Sequence, residues 1–186
     1  MVLRKKKNKN LAFFLDRDGV INHEIGYIKK WTDIKFYNKT LEALKTIQKA
    51  GFLIIVITNQ SIIARKIIKR KKLLILNEKF IHFFKKRGVI IKKIYFCPHH
   101  PKFTGICKCR KPKNGLILKA KKQFNIDLKN SWLVGDKTSD IKTGKVSGIN
   151  TILVKTGYGG LDNNYKVKPD YTFKNLYNAV NEILNK

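Results

Sequence analysis

The chain has 186 residues, 43% of them hydrophobic and 28% charged, with only 4 prolines; such a composition excludes disordered and collagen-like chains and suffices for a buried core. Its longest apolar run, Phe52 to Ile57, has six residues, too few to cross a bilayer as a helix. The net charge of +29, from 41 basic and 12 acidic side chains, favours polyanions in general and identifies none of them.

In chain order, residues 1–10 read as a basic, flexible tail, and Leu11–Leu15 as the first buried strand. Leu41, Leu44 and Ile47 lie three apart ahead of Gly51, a helix closed by a glycine. The strand Phe52–Ile57 follows. Phe80, Phe83 and Phe84 mark a second helix before Gly88, and Ile90–Phe96 is the third strand. Helical patterns cover Leu116–Phe124, Ser139–Val146 and Phe173–Leu184, alternating with strands at Trp132–Val134 and Thr151–Val154. Strand and helix alternate throughout. One domain spanning 1–186 is expected, a Rossmann-like three-layer α/β/α fold with a mostly parallel sheet whose ligands bind beyond the carboxyl ends of the strands.

The acids are scarce enough to be informative. Asp16 and Asp18 directly follow the first strand, and residues two apart on extended chain point the same way, so both carboxylates face one spot and require a cation or a proton. Gly19 then permits a sharp turn. The alternative is a turn-forming pair with no chemistry. Thr58 and Asn59 end the second strand with donors suited to phosphate oxygens. Asp136 and Lys137 follow the fourth strand, and Asp140 lies one helical turn on, either as a first-turn acid matched to the helix dipole or with a direct role. Cys97, His99, Cys107 and Cys109 gather every cysteine of the chain into thirteen residues. Three thiols cannot all pair, and C-x-H followed by C-x-C supplies the four ligands of a closed structural Zn²⁺ site; the alternative is reduced loop cysteines. His100 reads as a loop side chain, since neighbours rarely converge on one ion.

The strings LDRDGVIN, ITNQSIIAR, CRKP and VGDKTSD, in that order, resemble the four motifs of the haloacid dehalogenase superfamily. Within it they resemble the D-glycero-D-manno-heptose 1,7-bisphosphate phosphatases and the related histidinol phosphatases, over Leu11 to Gly157. The resemblance implies a capless phosphatase with a zinc-binding loop. It makes Asp16 the nucleophile that forms an aspartyl phosphate, Asp18 the proton carrier, and Lys111 and Thr58 the grip on the phosphoryl oxygens. Mg²⁺ is held by Asp16, Asp136 and the Asp18 backbone carbonyl. Arg17, Gly26, Tyr27, Asn59, Gln60, Ser61, Arg110 and Lys137 bind substrate, and the zinc loop delivers Arg110 and Lys111. The substrate implied is a small sugar bisphosphate, losing its 7-phosphate on the route to bacterial ADP-heptose and lipopolysaccharide. Histidinol phosphate and a nucleic-acid 3′-phosphate are the alternatives.

Two glycines usual in the second motif are replaced here by Ile62 and Lys66. If either position demands a positive φ, a side chain costs about 1–2 kcal/mol, and branched Ile62 is the worse case. The nucleic-acid alternative is disfavoured by 35 Lys against 6 Arg spread from end to end, because base readers use the guanidinium fork and cluster it on one face. A nucleotide-biased genome explains the lysines more simply. A monomer without nucleic-acid or membrane partners is expected, located in the cytoplasm because the apolar stretch after the basic start is too short for a signal peptide.

Overall fold

The computed structural model describes residues 9–184, so residues 1–8 of the expected tail lie outside the described residues. Asn10 is already tied down: its N–H donates to Asn125 O at 2.9 Å and its carbonyl accepts from Asp127 N–H at 2.9 Å.

Six strands, β1 (Ala12–Leu15), β2 (Leu53–Asn59), β3 (Ile91–Cys97), β4 (Trp132–Gly135), β5 (Asn150–Val154) and β6 (Tyr171–Phe173), form one parallel sheet in the order β3-β2-β1-β4-β5-β6. The helices are α1 (Thr40–Lys49), α2 (Arg70–Lys85), α3 (Pro101–Thr104), α4 (Gly115–Phe124), α5 (Thr138–Ser147) and α6 (Leu176–Leu184). The period-2 alternation of each strand sorts its side chains onto two faces. Phe13, Leu15, Ile54 and Val56 join Leu44, Ile47, Phe80, Phe84 and Val180 on one face. Ala12, Phe14, Ile55 and Ile57 join Leu116, Ile117 and Ala120 of α4 on the other. Fully burying side chains of this size contributes about 1.5–3 kcal/mol each, which is why strands of three to seven residues hold without long ladders.

Five strands and the first four expected helices stand where the apolar pattern puts them, within a few residues. The last expected helix is corrected: Tyr171–Phe173 is the edge strand β6, and the helix starts at Leu176. Its apolar stripe, Leu176, Ala179 and Val180, is genuine. Three half-exposed residues at a sheet edge carry too little periodicity to be distinguished from a helix start.

Strands β1 to β3 build outward in one direction and β4 starts again on the other side of β1, so the sheet reverses between β1 and β4. Loops leaving their carboxyl ends part there and open a crevice. The fold also sorts charge. Between Glu42 and Asp127 the sequence has a single acid, Glu78, against 22 Lys and Arg, and this stretch builds the half of the sheet with β2, β3, α2 and α4. The even spread of the lysines therefore conceals a lopsided field, because it is the acids that are unevenly placed. No helix among the described residues is long and apolar enough to cross a membrane.

Candidate active site

The crevice is a cavity of about 580 Å³ lined by Asp16, Asp18, Thr58, Arg110, Lys111, Lys137 and Asp140 among others, a size suited to a small ligand. Asp16 stays on the sheet, its N–H donating to Val134 O at 3.0 Å, so the β1–β4 ladder fixes its direction. Lys111 is buried; its Nζ is ion-paired with Asp16 Oδ2 at 2.9 Å and Asp140 Oδ1 at 2.6 Å and donates a hydrogen bond to Ile57 O at 3.1 Å. A buried ammonium between two carboxylates and a carbonyl is a fixed charge. Burial, and the repulsion of Asp140 and Asp18, push the Asp16 carboxyl up to about 6 despite Lys111. Asp140 is a first-turn acid of α5 that also reaches Lys111. It anchors Lys111 while its Oδ2 accepts the Lys137 N–H at 3.1 Å, so it also caps α5.

Asp16, Asp136 and Asp140 offer carboxylate oxygens that lie within 4.8 Å of one another. Asp136 is fully buried, its Oδ2 accepts the Tyr158 N–H at 2.9 Å, and its Oδ1 has no hydrogen-bond partner. Burial, with Asp16 and Asp140 nearby, pushes it up to about 8. A buried carboxylate oxygen without a donor is costly unless a proton or a cation meets it. Two glycines make the space: a Cβ at Gly19, where φ is +90, would lie 2.2 Å from Asp136 Oδ2, and one at Gly157 would lie 2.3 Å from it.

Asp18 reaches the cavity but not the carboxylate cluster. Its Oδ1 accepts from Arg17 Nε at 3.0 Å and Asn22 Nδ2 at 2.9 Å, and its Oδ2 from Arg17 Nη2 at 2.8 Å and Gln60 Nε2 at 2.9 Å. Burial opposes ionisation, yet Arg17, Asn22 and Gln60 together hold the group below the usual carboxylate range. This corrects the reading of Arg17 as a substrate contact: it is 1% exposed, does not line the cavity and is consumed by Asp18. Asn59 and Gln60 line the cavity with their amides engaged. Asn59 pairs twice with the Lys111 backbone, at 3.1 and 3.2 Å, and so locks the turn that carries Lys111 against the end of β2; Gln60 also donates to Thr58 Oγ1 at 3.0 Å. Gly26, Tyr27, Ser61 and Thr58 line the wall as expected. Lys137 Nζ binds Glu24 Oε2 at 2.9 Å and lies 4.2 Å from the centroid of the Tyr158 ring. Burial works against its charge, but the Glu24 bond raises the ammonium well above its ordinary value.

Sequence reasoning missed Tyr158, Asp162, Asn164 and Tyr165, all cavity-lining residues from the segment between β5 and β6. The available signal was the glycine-dense string TGYGGLD, whose three glycines all have positive φ.

Beside the cavity, Cys97 at the end of β3, His99, Cys107 and Cys109 converge. Sulfur–sulfur separations are 3.1 to 3.6 Å and His99 Nδ1 lies 3.3 Å from Cys109 Sγ and 3.7 Å from Cys97 Sγ. Disulfides need about 2.05 Å, whereas the edges of a tetrahedron with 2.3 Å metal–sulfur bonds are about 3.7 Å. The set can therefore hold a metal ion. His100 points elsewhere, capping α3 by accepting the Lys102 N–H at 3.2 Å.

The second-motif departures separate cleanly. Ile62 has no positive φ; it is buried against Ile68, Leu73 and Leu76. Lys66 has φ +57. Its N–H bonds Ile63 O at 2.9 Å and that of Ile67 bonds Ile62 O at 3.1 Å, the paired bonds of a left-handed helix cap. The condition is thus met at one of the two positions, the unbranched Lys66, and the costlier case at Ile62 does not arise. Lys66→Gly should relieve the strain and raise stability by about 0.5–1 kcal/mol after the extra chain entropy of glycine, a gain of about 1–4 °C in thermal unfolding.

A HAD-hydrolase-like family model matches residues 108–179. The D-glycero-alpha-D-manno-heptose-1,7-bisphosphate 7-phosphatase of Photorhabdus laumondii is 44% identical over 157 residues, covering 81% of this chain and 86% of the relative. The D-glycero-beta-D-manno-heptose-1,7-bisphosphate 7-phosphatase of Escherichia coli K12 is 38% identical over 152 residues, covering 78% and 80%. The crystal structure of the D,D-heptose 1,7-bisphosphate phosphatase from B. bronchiseptica, complexed with magnesium and phosphate, superposes with a TM-score of 0.85 at 26% identity over 94% of this chain and 99% of that one. With four motifs converging on one crevice and relatives of this identity matching most of its length, the chain belongs to the heptose 1,7-bisphosphate 7-phosphatase family of haloacid-dehalogenase-type phosphatases.

Proposed function

We propose that the protein hydrolyses the 7-phosphate of a D-glycero-D-manno-heptose 1,7-bisphosphate through an aspartyl phosphate on Asp16. The observation that carries the reading is the buried Lys111 ammonium, locked 2.9 Å from Asp16 Oδ2 beside a carboxylate oxygen of Asp136 that lacks a donor. A nucleophile and a fixed cation so arranged suit attack on phosphorus, because the charge of the transferring group lies on its oxygens.

Asp16 attacks phosphorus and the bond to the C7 oxygen breaks. The leaving oxygen takes a proton from Asp18. Asp18 then accepts a proton from water, whose oxygen attacks the aspartyl phosphate, freeing phosphate and the Asp16 carboxylate. The hold of Arg17, Asn22 and Gln60 favours the ionised Asp18, which suits the second half and sets a cost on the first. Thr58 and Lys111 steady the phosphoryl oxygens, and Arg110 and Lys137 meet the rest of the substrate from opposite loops.

Asp140 is held by the ion pair of its Oδ1 with Lys111 and by the Lys137 N–H on its Oδ2. Asp16, Asp136 and the Asp18 backbone carbonyl therefore remain to hold Mg²⁺, which when bound neutralises charge on the phosphoryl oxygens. The orphan Asp136 oxygen and the glycine-made space fit that ion. Zinc fits the Cys97, His99, Cys107 and Cys109 set, a closed site with no position for water and so structural, clamping the turn that carries Arg110 and Lys111.

The test is phosphate release from heptose 1,7-bisphosphate with and without Mg²⁺, beside histidinol phosphate and a duplex ending in a 3′-phosphate. Preference for the heptose bisphosphate is expected, and faster release from either competitor overturns the substrate assignment. For zinc, about one equivalent is expected by atomic absorption. Changing Cys107 and Cys109 together to Ser should remove it and lower the unfolding temperature; undiminished zinc in that variant refutes the site.

A further inference from the structure

The segment between β5 and β6 behaves less as a loop than as a strap across the carboxyl ends of β1 and β4. Thr156 Oγ1 donates to Gly19 O at 2.6 Å and the Gly157 N–H to Tyr37 Oη at 3.1 Å. The Tyr158 N–H donates to Asp136 Oδ2 at 2.9 Å, and the Gly160 N–H to Asp136 O at 2.7 Å. Further on, Asp162 accepts the Thr138 N–H at 2.7 Å and its hydroxyl at 2.8 Å, pinning the strap to the start of α5. Three strap donors, Thr156 Oγ1 and the N–H groups of Tyr158 and Gly160, are spent on the two turns that carry Asp18 and Asp136.

The steric arrangement is as specific as the bonding. Gly157 has φ +60, and a Cβ there would lie 2.3 Å from Asp136 Oδ2 and 2.7 Å from Gly19 Cα. Asp136 is thus confined between two glycines and held by one N–H, with its Oδ1 unpartnered and its carboxylate within 4.8 Å of those of Asp16 and Asp140. Groups that orient a metal ligand commonly govern affinity as strongly as the ligand itself. We propose that the strap Thr156–Tyr158 is a positioning element that sets the divalent-cation affinity of the site, with Gly157 as the point at which it bears on Asp136. The inference rests on the cation site of the proposed function.

The test measures Mn²⁺ binding by the loss of the free-ion electron paramagnetic resonance signal, without substrate, on zinc-loaded protein. Gly159 provides the control: its φ is +56, close to that of Gly157, but a Cβ there would meet only Lys155. Gly157→Ala should weaken Mn²⁺ binding by about 10-fold or more, and Gly159→Ala by no more than about twofold, although both strain the backbone alike. Thr156→Val, which adds no bulk, should weaken it by about threefold. Gly157→Ala that binds Mn²⁺ as the wild type does, or Gly159→Ala that loses as much, overturns the proposal. If Gly157→Ala fails to fold, Thr156→Val against Gly159→Ala decides it in the same way. A wild type that leaves all Mn²⁺ free removes the cation from the proposed function as well, an outcome distinct from a strap variant that binds normally.

Discussion

Asp16→Asn is expected to abolish steady-state phosphate release, by roughly 10⁴-fold or more in kcat, with the circular dichroism spectrum unchanged. The amide matches the carboxylate in shape, so the N–H of Arg17, which donates to Asp16 Oδ1 at 2.8 Å, and the β1–β4 ladder keep their geometry. What disappears is the negative charge that makes the carboxylate oxygen a nucleophile toward phosphorus. Removing one of three crowded acids also relieves repulsion on Asp136, part of whose upward shift comes from Asp16, so no large loss of stability should accompany the loss of rate. A variant retaining kcat within about tenfold of the wild type would remove Asp16 from the nucleophile's role.

Lys111→Met is expected to have the largest effect on folding, about 3–5 kcal/mol in urea unfolding, together with loss of activity. Lys111 and its partners Asp16 and Asp140 are all buried. Removing the ammonium leaves two carboxylates in low dielectric with their principal counter-charge gone, and that penalty far exceeds the net worth of the pair. The same reasoning predicts non-additivity. Asp16→Asn combined with Lys111→Met should be more stable than Lys111→Met alone by about 1 kcal/mol or more. Equal stability of the two would mean that the acids do not bear on one another as their distances require.

Much of this site could be read from the chain because strand ends announce themselves. Apolar runs finishing in Asp16, Thr58 and Asp136 fix which residues reach the crevice, since a parallel sheet brings its carboxyl ends to one edge. The convergence of Cys97, His99, Cys107 and Cys109 is equally legible from their spacing. What the chain conceals is side-chain allegiance. Asp16 and Asp18 are two apart, yet one turns to Lys111 and the other to Arg17, a division that depends on Gln60 and Asn22 arriving from elsewhere. Asp140 reads either as a first-turn acid or as a direct participant, and its tie to Lys111 exists only once α5 and the loop that carries Lys111 are folded together. β6 escaped because three edge residues, mostly exposed, carry little pattern, and the strap escaped because its contacts are made by backbone N–H groups, which every sequence has.

The lopsided distribution of charge gives the molecule a permanent dipole. An anion drifting near it is drawn first to the half built from β2, β3, α2 and α4, the half that also carries Arg110 and Lys111 into the crevice. Added electrolyte shortens the range of that pull to about 8 Å at physiological ionic strength. Turnover measured in dilute buffer therefore reports capture as well as chemistry, and kcat/KM should fall with salt more steeply than kcat.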